Sequence, residues 1–139
     1  MREILFRGKV SNEVLGYEQN KPNGTWVYGF YRDKIGLPTI SEFSFKYADY
    51  IDYEVDTNTI GQFIGKLDKN GNKIFDGDVV KFEHPSGDKY TGYICYEPNE
   101  VGYVIKLTDA YYIIGYIDEF YEIIGNIYDN PELLKEVEE

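Results

Sequence analysis

This 139-residue chain is poor in the side chains that do most protein chemistry: it has one cysteine, one histidine, one methionine and one tryptophan. A single cysteine, Cys95, excludes an internal disulfide. It sits in the run YTGYICYEP with Glu97 and Glu100 as its nearest charges, so it reads as a buried, inert thiol rather than an activated one. With one Cys and one His, the ligand set of a zinc site is missing. A Ser-His-Asp arrangement has only His84 to draw on, and His84 precedes Pro85 in a turn. Nothing approaches the roughly 20 consecutive apolar residues that span a bilayer. The opening MREILFRGKV has neither an apolar core nor a small-residue cleavage site, and we expect a cytoplasmic protein with no membrane partner.

Basic charge is scarce and unevenly placed. Residues 1–50 hold seven basic and six acidic side chains, a net of +1, whereas residues 51–139 hold seven and nineteen, a net of −12. A surface of that sign repels phosphates, so direct nucleic-acid binding is not expected. The acids serve solubility or, as an alternative function, form a mimic of nucleic acid that docks on a basic partner.

Phosphate loops are missing too: there is no GxxxxGK[ST] and no GxGxxG opening a helix. Asp68-Lys69-Asn70-Gly71-Asn72 begins like a calcium loop. It then places Lys73 where glycine is needed and Val79 where a bidentate glutamate is needed, so it reads as a hairpin turn. Asp76 and Asp78 flank Gly77 and read as turn caps. They are also the nearest thing to a carboxylate pair, and a hydrolase using paired acids is a second alternative. No cofactor, metal or catalytic residue is expected.

What the chain has in quantity is tyrosine, 15 residues, with 8 phenylalanines. Aromatic rings favour pleated, half-buried surfaces, and tyrosine keeps its hydroxyl in water. Strands are expected at Glu3–Lys9, Thr25–Tyr31, Val79–Glu83, Lys89–Tyr96, Val101–Leu107, Tyr111–Ile117 and Glu122–Tyr128, with a hairpin closed by Asn70-Gly71 between 59 and 75. Gly29 inside TWVYGFY marks a bulge or a close backbone approach. Residues 32–58 lack a clear period and read as a loop with a short strand or helical turn, with a boundary near residue 50. Asn130-Pro131-Glu132 followed by Leu133, Leu134 and Val137 predicts about two turns of C-terminal helix. Short strands at near-regular spacing indicate a barrel or sandwich. Tyr112, Tyr116 and Tyr121 are the expected partner-contact residues, because tyrosine is enriched at interface hot spots.

Three segments resemble one family. Ile60 to Gly71, continued by Ile74 to Val80, is similar to the YopX-like phage and prophage proteins. So are Ile123 to Leu134 and the opening Ile4-Leu5-Phe6-Arg7. Phe63-Ile64 departs from the family by replacing a Tyr-Thr-like pair. The resemblance implies a small phage- or prophage-encoded protein whose C-terminal part is similar to SH3-type barrels, and it carries over no catalytic residue. The expected protein is therefore mainly β: an N-terminal β region over 1–50, then an SH3-like roll or barrel over 51–139 that ends in a short helix. The expected function is a non-enzymatic protein-binding accessory factor acting on a host or phage protein. Exposed strand edges add an expectation of homo-oligomerisation.

Overall fold

The computed structural model describes residues 3–11, 21–107, 110–114 and 121–136. The chain is mainly β and divides into two compact units, Met1–Phe63 and Ile64–Glu139. The division falls inside a strand, not near residue 50 where the charge balance shifts. Charge tracks the surface, while the division follows the packed cores, and residues just past 50 still pair within the first unit.

The first unit is built from β1 (Phe6–Lys9), β2 (Trp26–Lys34), β3 (Leu37–Ser44), β4 (Asp49–Glu54) and the start of β5 (Gly61–Leu67). They lie side by side in the order β4-β3-β2-β1-β5. The first part of β2 pairs antiparallel with β1, from Phe6↔Gly29 to Lys9↔Trp26. Its second part pairs with β3, from Phe30↔Ser41 to Lys34↔Leu37. Gly29 sits at the changeover. A Cβ there would lie 1.9 Å from the Ser41 carbonyl oxygen, so only glycine lets the two backbones approach this closely. Val10, Val27, Ile40, Tyr53 and Val55 form the core of this unit, with Phe6, Ile51 and Ile60 packed against it.

Residues 32–58 are not the expected loop. They contain the rest of β2 and a complete β3–β4 hairpin, paired from Thr39↔Glu54 to Ser44↔Asp49. These strands are hard to read because the turns before and after β3 use unusual residues. Ile35 (φ 54°) and Ala48 (φ 53°) take the left-handed conformation that glycine or asparagine normally supplies. Pro38 is accommodated near the start of its strand, where its carbonyl accepts the Val55 N–H at 3.1 Å.

In the second unit β5 turns into β6 (Lys73–Phe75). Then come β7 (Asp78–Glu83), β8 (Lys89–Glu97), β9 (Gly102–Lys106), β10 (Tyr111–Ile113) and β11 (Glu122–Asn126). The last five form an antiparallel sheet in the order β10-β9-β8-β7-β11. Ile74, Val80, Phe82, Ile94, Ile105, Ile114 and Tyr121 make its core. The Asn70-Gly71 hairpin is present, with Gly71 at φ 85° and the Asp68 N–H donating to the Asn72 carbonyl at 2.8 Å.

Asp68 organises that corner. Its Oδ1 accepts the N–H groups of Asn70 and Asn72, both at 2.9 Å. Its Oδ2 accepts the Ile123 N–H of β11 at 3.1 Å. Burial raises the carboxyl pKa, but the N–H groups of Asn72, Ile123 and Asn70 outweigh it and hold the value below 3.8. Both oxygens are thus engaged by backbone, as a turn cap requires. Asp78 likewise caps: its Oδ2 accepts the Phe75 N–H at 2.7 Å.

The expected C-terminal helix takes the form of a 3-10 helix, Pro131–Glu136. Asn130 does not cap it. Its Oδ1 points back to accept the Asn126 N–H at 3.3 Å, and the Leu133 N–H reaches the Asn130 carbonyl three residues earlier at 3.1 Å. Val137 lies outside the described residues.

Two substitutions test this account. Gly29→Ala is expected to destabilise the first unit by about 2 kcal/mol in denaturant melts, because the backbone must separate to admit a methyl group. Asp68→Asn is expected to destabilise the protein at neutral pH by about 2 kcal/mol, through loss of charged acceptors for backbone donors. The folded pKa is depressed, so this contribution exists above 3.8 and disappears as pH falls through the lower folded value. Melts of the two proteins should converge in acid.

Candidate protein-contact surface

Directly paired residues share a face of a sheet, and neighbours along a strand alternate. The registers Phe30↔Ser41, with Ser41↔Asp52 and Phe43↔Tyr50, therefore place Phe30, Ser41, Phe43, Tyr50 and Asp52 on one face of β2–β3–β4. The opposite face carries Ile40 and Tyr53 into the core. The first face is aromatic and open. Phe30 is 55% exposed, Phe43 41%, Phe45 91% and Tyr50 51%.

These rings touch one another. Phe30 and Tyr50 have centroids 5.7 Å apart. Phe43 meets Tyr50 edge-on at 5.3 Å and Phe45 edge-on at 5.0 Å. Tyr47, at the β3–β4 turn, is 61% exposed, and the Lys46 Nζ stands 5.2 Å from its ring centroid. Isolated exposed apolar residues are ordinary, whereas a contiguous cluster marks a contact surface. Edge-to-face contacts hold the rings in place before any partner arrives, which lowers the entropy lost on binding.

An ionic group borders the rings. Asp52 Oδ2 accepts from Arg32 at 2.9 Å and Lys34 at 3.0 Å. Its Oδ1 accepts the Ser41 hydroxyl. The Ser41 hydrogen bond, with Lys34 and Arg32, holds the Asp52 carboxyl below its ordinary value against the opposing effect of burial. Asp52 is thereby neutralised locally.

Of the tyrosines singled out from sequence, Tyr121 is the one whose side chain is described. Tyr121 is 2% exposed, and its hydroxyl donates to the Ile114 carbonyl at 2.6 Å. It is a core residue of the second unit. Tyr112 lies in β10 opposite Ile105, and Tyr116 lies outside the described residues. The signal for the aromatic face was present in Phe43, Phe45 and Tyr47, which alternate, but the hairpin that exposes them was not recognised.

A second feature is a recess of about 460 Å³ in the first unit. Its lining includes Lys9, Glu54, Asp56 and Asn58. Glu54 is 6% exposed, and burial raises its carboxyl pKa. Asp56 Oδ1 accepts the Asn58 N–H at 3.0 Å, capping the 3-10 turn Thr57–Thr59.

The remaining candidates are local. The His84 Nδ1 accepts the Ser86 N–H at 3.1 Å, while the Ser86 hydroxyl donates to Asp88 at 3.1 Å. The three side chains adjoin, but the serine donates to the carboxylate instead of being deprotonated by an imidazole that the carboxylate orients. Cys95 is half-buried, and burial, together with Asp76 and Glu97, raises its thiol pKa against the pull of Lys106. It is the reverse of an activated thiol. No helix among the described residues is long and apolar enough to cross a membrane.

The architecture is that of an all-β protein with two antiparallel sheets and an aromatic surface on the first. The chain belongs to the YopX family: the family model described as "YopX protein" matches residues 11–135. It is also similar in fold to protein EF1440 from Enterococcus faecalis, seen in a crystal structure. That likeness has 21% identity and a TM-score of 0.54, and covers 96% of this chain and 99% of the other. No curated protein matches.

Glu54 has a pKa raised above 4.5, so ionising it in the folded protein opposes folding. Glu54→Gln is expected to raise the denaturant midpoint at pH 7, and the gain should vanish below pH 4.5. Melts across that range decide it.

Proposed function

We propose that this chain is an accessory protein of phage or prophage type that acts in the bacterial cytoplasm by binding another protein, without chemistry of its own. The observation that carries this is the touching cluster of Phe30, Phe43, Phe45 and Tyr50 on an open sheet face. Aromatic anchors supply most of the energy in protein contacts, and a pre-packed cluster is a hot-spot arrangement. Family membership supports the phage setting, and the five-stranded order of the second unit supports an SH3-like roll there. The test is affinity capture from host lysate with wild type and with Phe43→Ser/Phe45→Ser. The wild type is expected to retain a stoichiometric protein that the double variant loses. Equal recovery by both would refute the assignment of the contact to this face.

One observation favours a second reading, a hydrolase using paired carboxylates. Glu54, with its raised pKa, lines the same recess as Asp56. Burial shifts the Glu54 carboxyl in the direction that suits a proton donor to a leaving group. This reading requires turnover on an ester, glycoside or phosphodiester panel that Glu54→Gln abolishes. Absence of such turnover leaves the binding reading alone.

A further inference from the structure

Resting on the reading of the β2–β4 aromatic face as a protein contact, we propose that its occupant is the same face of a second copy of this chain, in a two-fold, isologous dimer.

Area is the first argument. The four rings, about 200 Å² each in full, expose on the order of 500 Å² at their observed fractions. Homodimer interfaces are about 65% apolar. A surface with that much aromatic area and its polar border therefore covers about 800 Å² on each side, the amount a stable, specific contact buries.

Charge is the second. The first unit holds seven basic and nine acidic residues, a net of −2, whereas the second holds seven and sixteen, a net of −9. Around the rings the charges are mixed, and one acid, Asp52, joined to two bases, Arg32 and Lys34, leaves a local net of only +1. Such a face has no strong field with which to select a basic or an acidic partner. It fits a surface that is itself aromatic, near neutral and bordered by both signs, and this face is such a surface. A two-fold axis through the cluster brings ring against ring.

The contact has a salt signature. Two chains of net −11 repel one another at long range. Added salt screens that repulsion and leaves ring burial intact, so dimerisation should tighten with salt. A contact made by acids with a basic partner weakens instead.

The experiment is sedimentation equilibrium of the full chain over a range of concentrations, at low and physiological salt. Phe45→Asp and Ile35→Asp are run beside it. Phe45 is 91% exposed and Ile35 94%, so neither change removes a core contact, and circular dichroism checks the fold. Wild type is expected to be a reversible dimer that tightens with salt. Phe45→Asp is expected to weaken it by about thirtyfold or more, as for a hot-spot aromatic, and Ile35→Asp to leave it unchanged. A wild type that stays monomeric throughout overturns the proposal, as does a Phe45→Asp dimer as tight as wild type. Monomeric wild type that still captures another protein through Phe43 and Phe45 defeats self-pairing and leaves the protein-binding reading standing. Monomeric wild type with no such capture defeats both.

Discussion

The approach of the β3 backbone to Gly29 is the constraint on which the first unit depends. β2 is long enough to serve two neighbours, and it does so in succession, β1 first and then β3. The changeover needs one position without a side chain, since a Cβ there would sit on the Ser41 carbonyl. Once that position is met, everything beyond it follows from register. Val27, Ile40 and Tyr53 turn inward to a dry core. Phe30, Phe43 and Tyr50 turn outward and find one another. The alternation of a strand cannot bury both faces of a hairpin that has a core on one side only. The aromatic surface is thus a consequence of the pairing that also makes the core.

The second unit relies on a different device. A single buried carboxylate, Asp68, accepts three backbone N–H groups from two places far apart in sequence, the hairpin after β5 and the start of β11. It replaces pairing that a tight turn cannot supply from its own backbone. The same residue begins the stretch that looks like a calcium loop. Its oxygens are directed at amides because the chain turns back after Asn70-Gly71 instead of wrapping a cation.

Much of the fold was legible because its turns in the second unit use residues with an intrinsic reason to turn. Gly71 and Gly77 mark their bends by positive φ. β7, β8 and β9 fall within one or two residues of where alternation puts them. β3 and β4 were not legible, because the β2–β3 turn holds Ile35 and the β3–β4 turn holds Ala48, residues that enter the left-handed region only when the surrounding pairing holds them there. At the C-terminal segment the departure is in the cap: Asn130 has the right identity for one, but its side chain is already used by Asn126. The placing of the aromatic rings was the least legible feature. Tyr121 and Phe45 are both aromatic residues in strand-rich sequence, yet one is sealed in a core and the other is almost fully exposed.

By itself the sequence determined the class of the protein: an acidic, mainly β chain with one histidine and one cysteine, carrying the motifs of the YopX family. These are properties of composition and of local backbone preference, which need no partner strand to be true. Only the tertiary structure decided which aromatic rings face water and which carboxylates are buried. Those outcomes depend on register between segments distant in the chain, and shifting a strand by one residue exchanges its inner and outer faces.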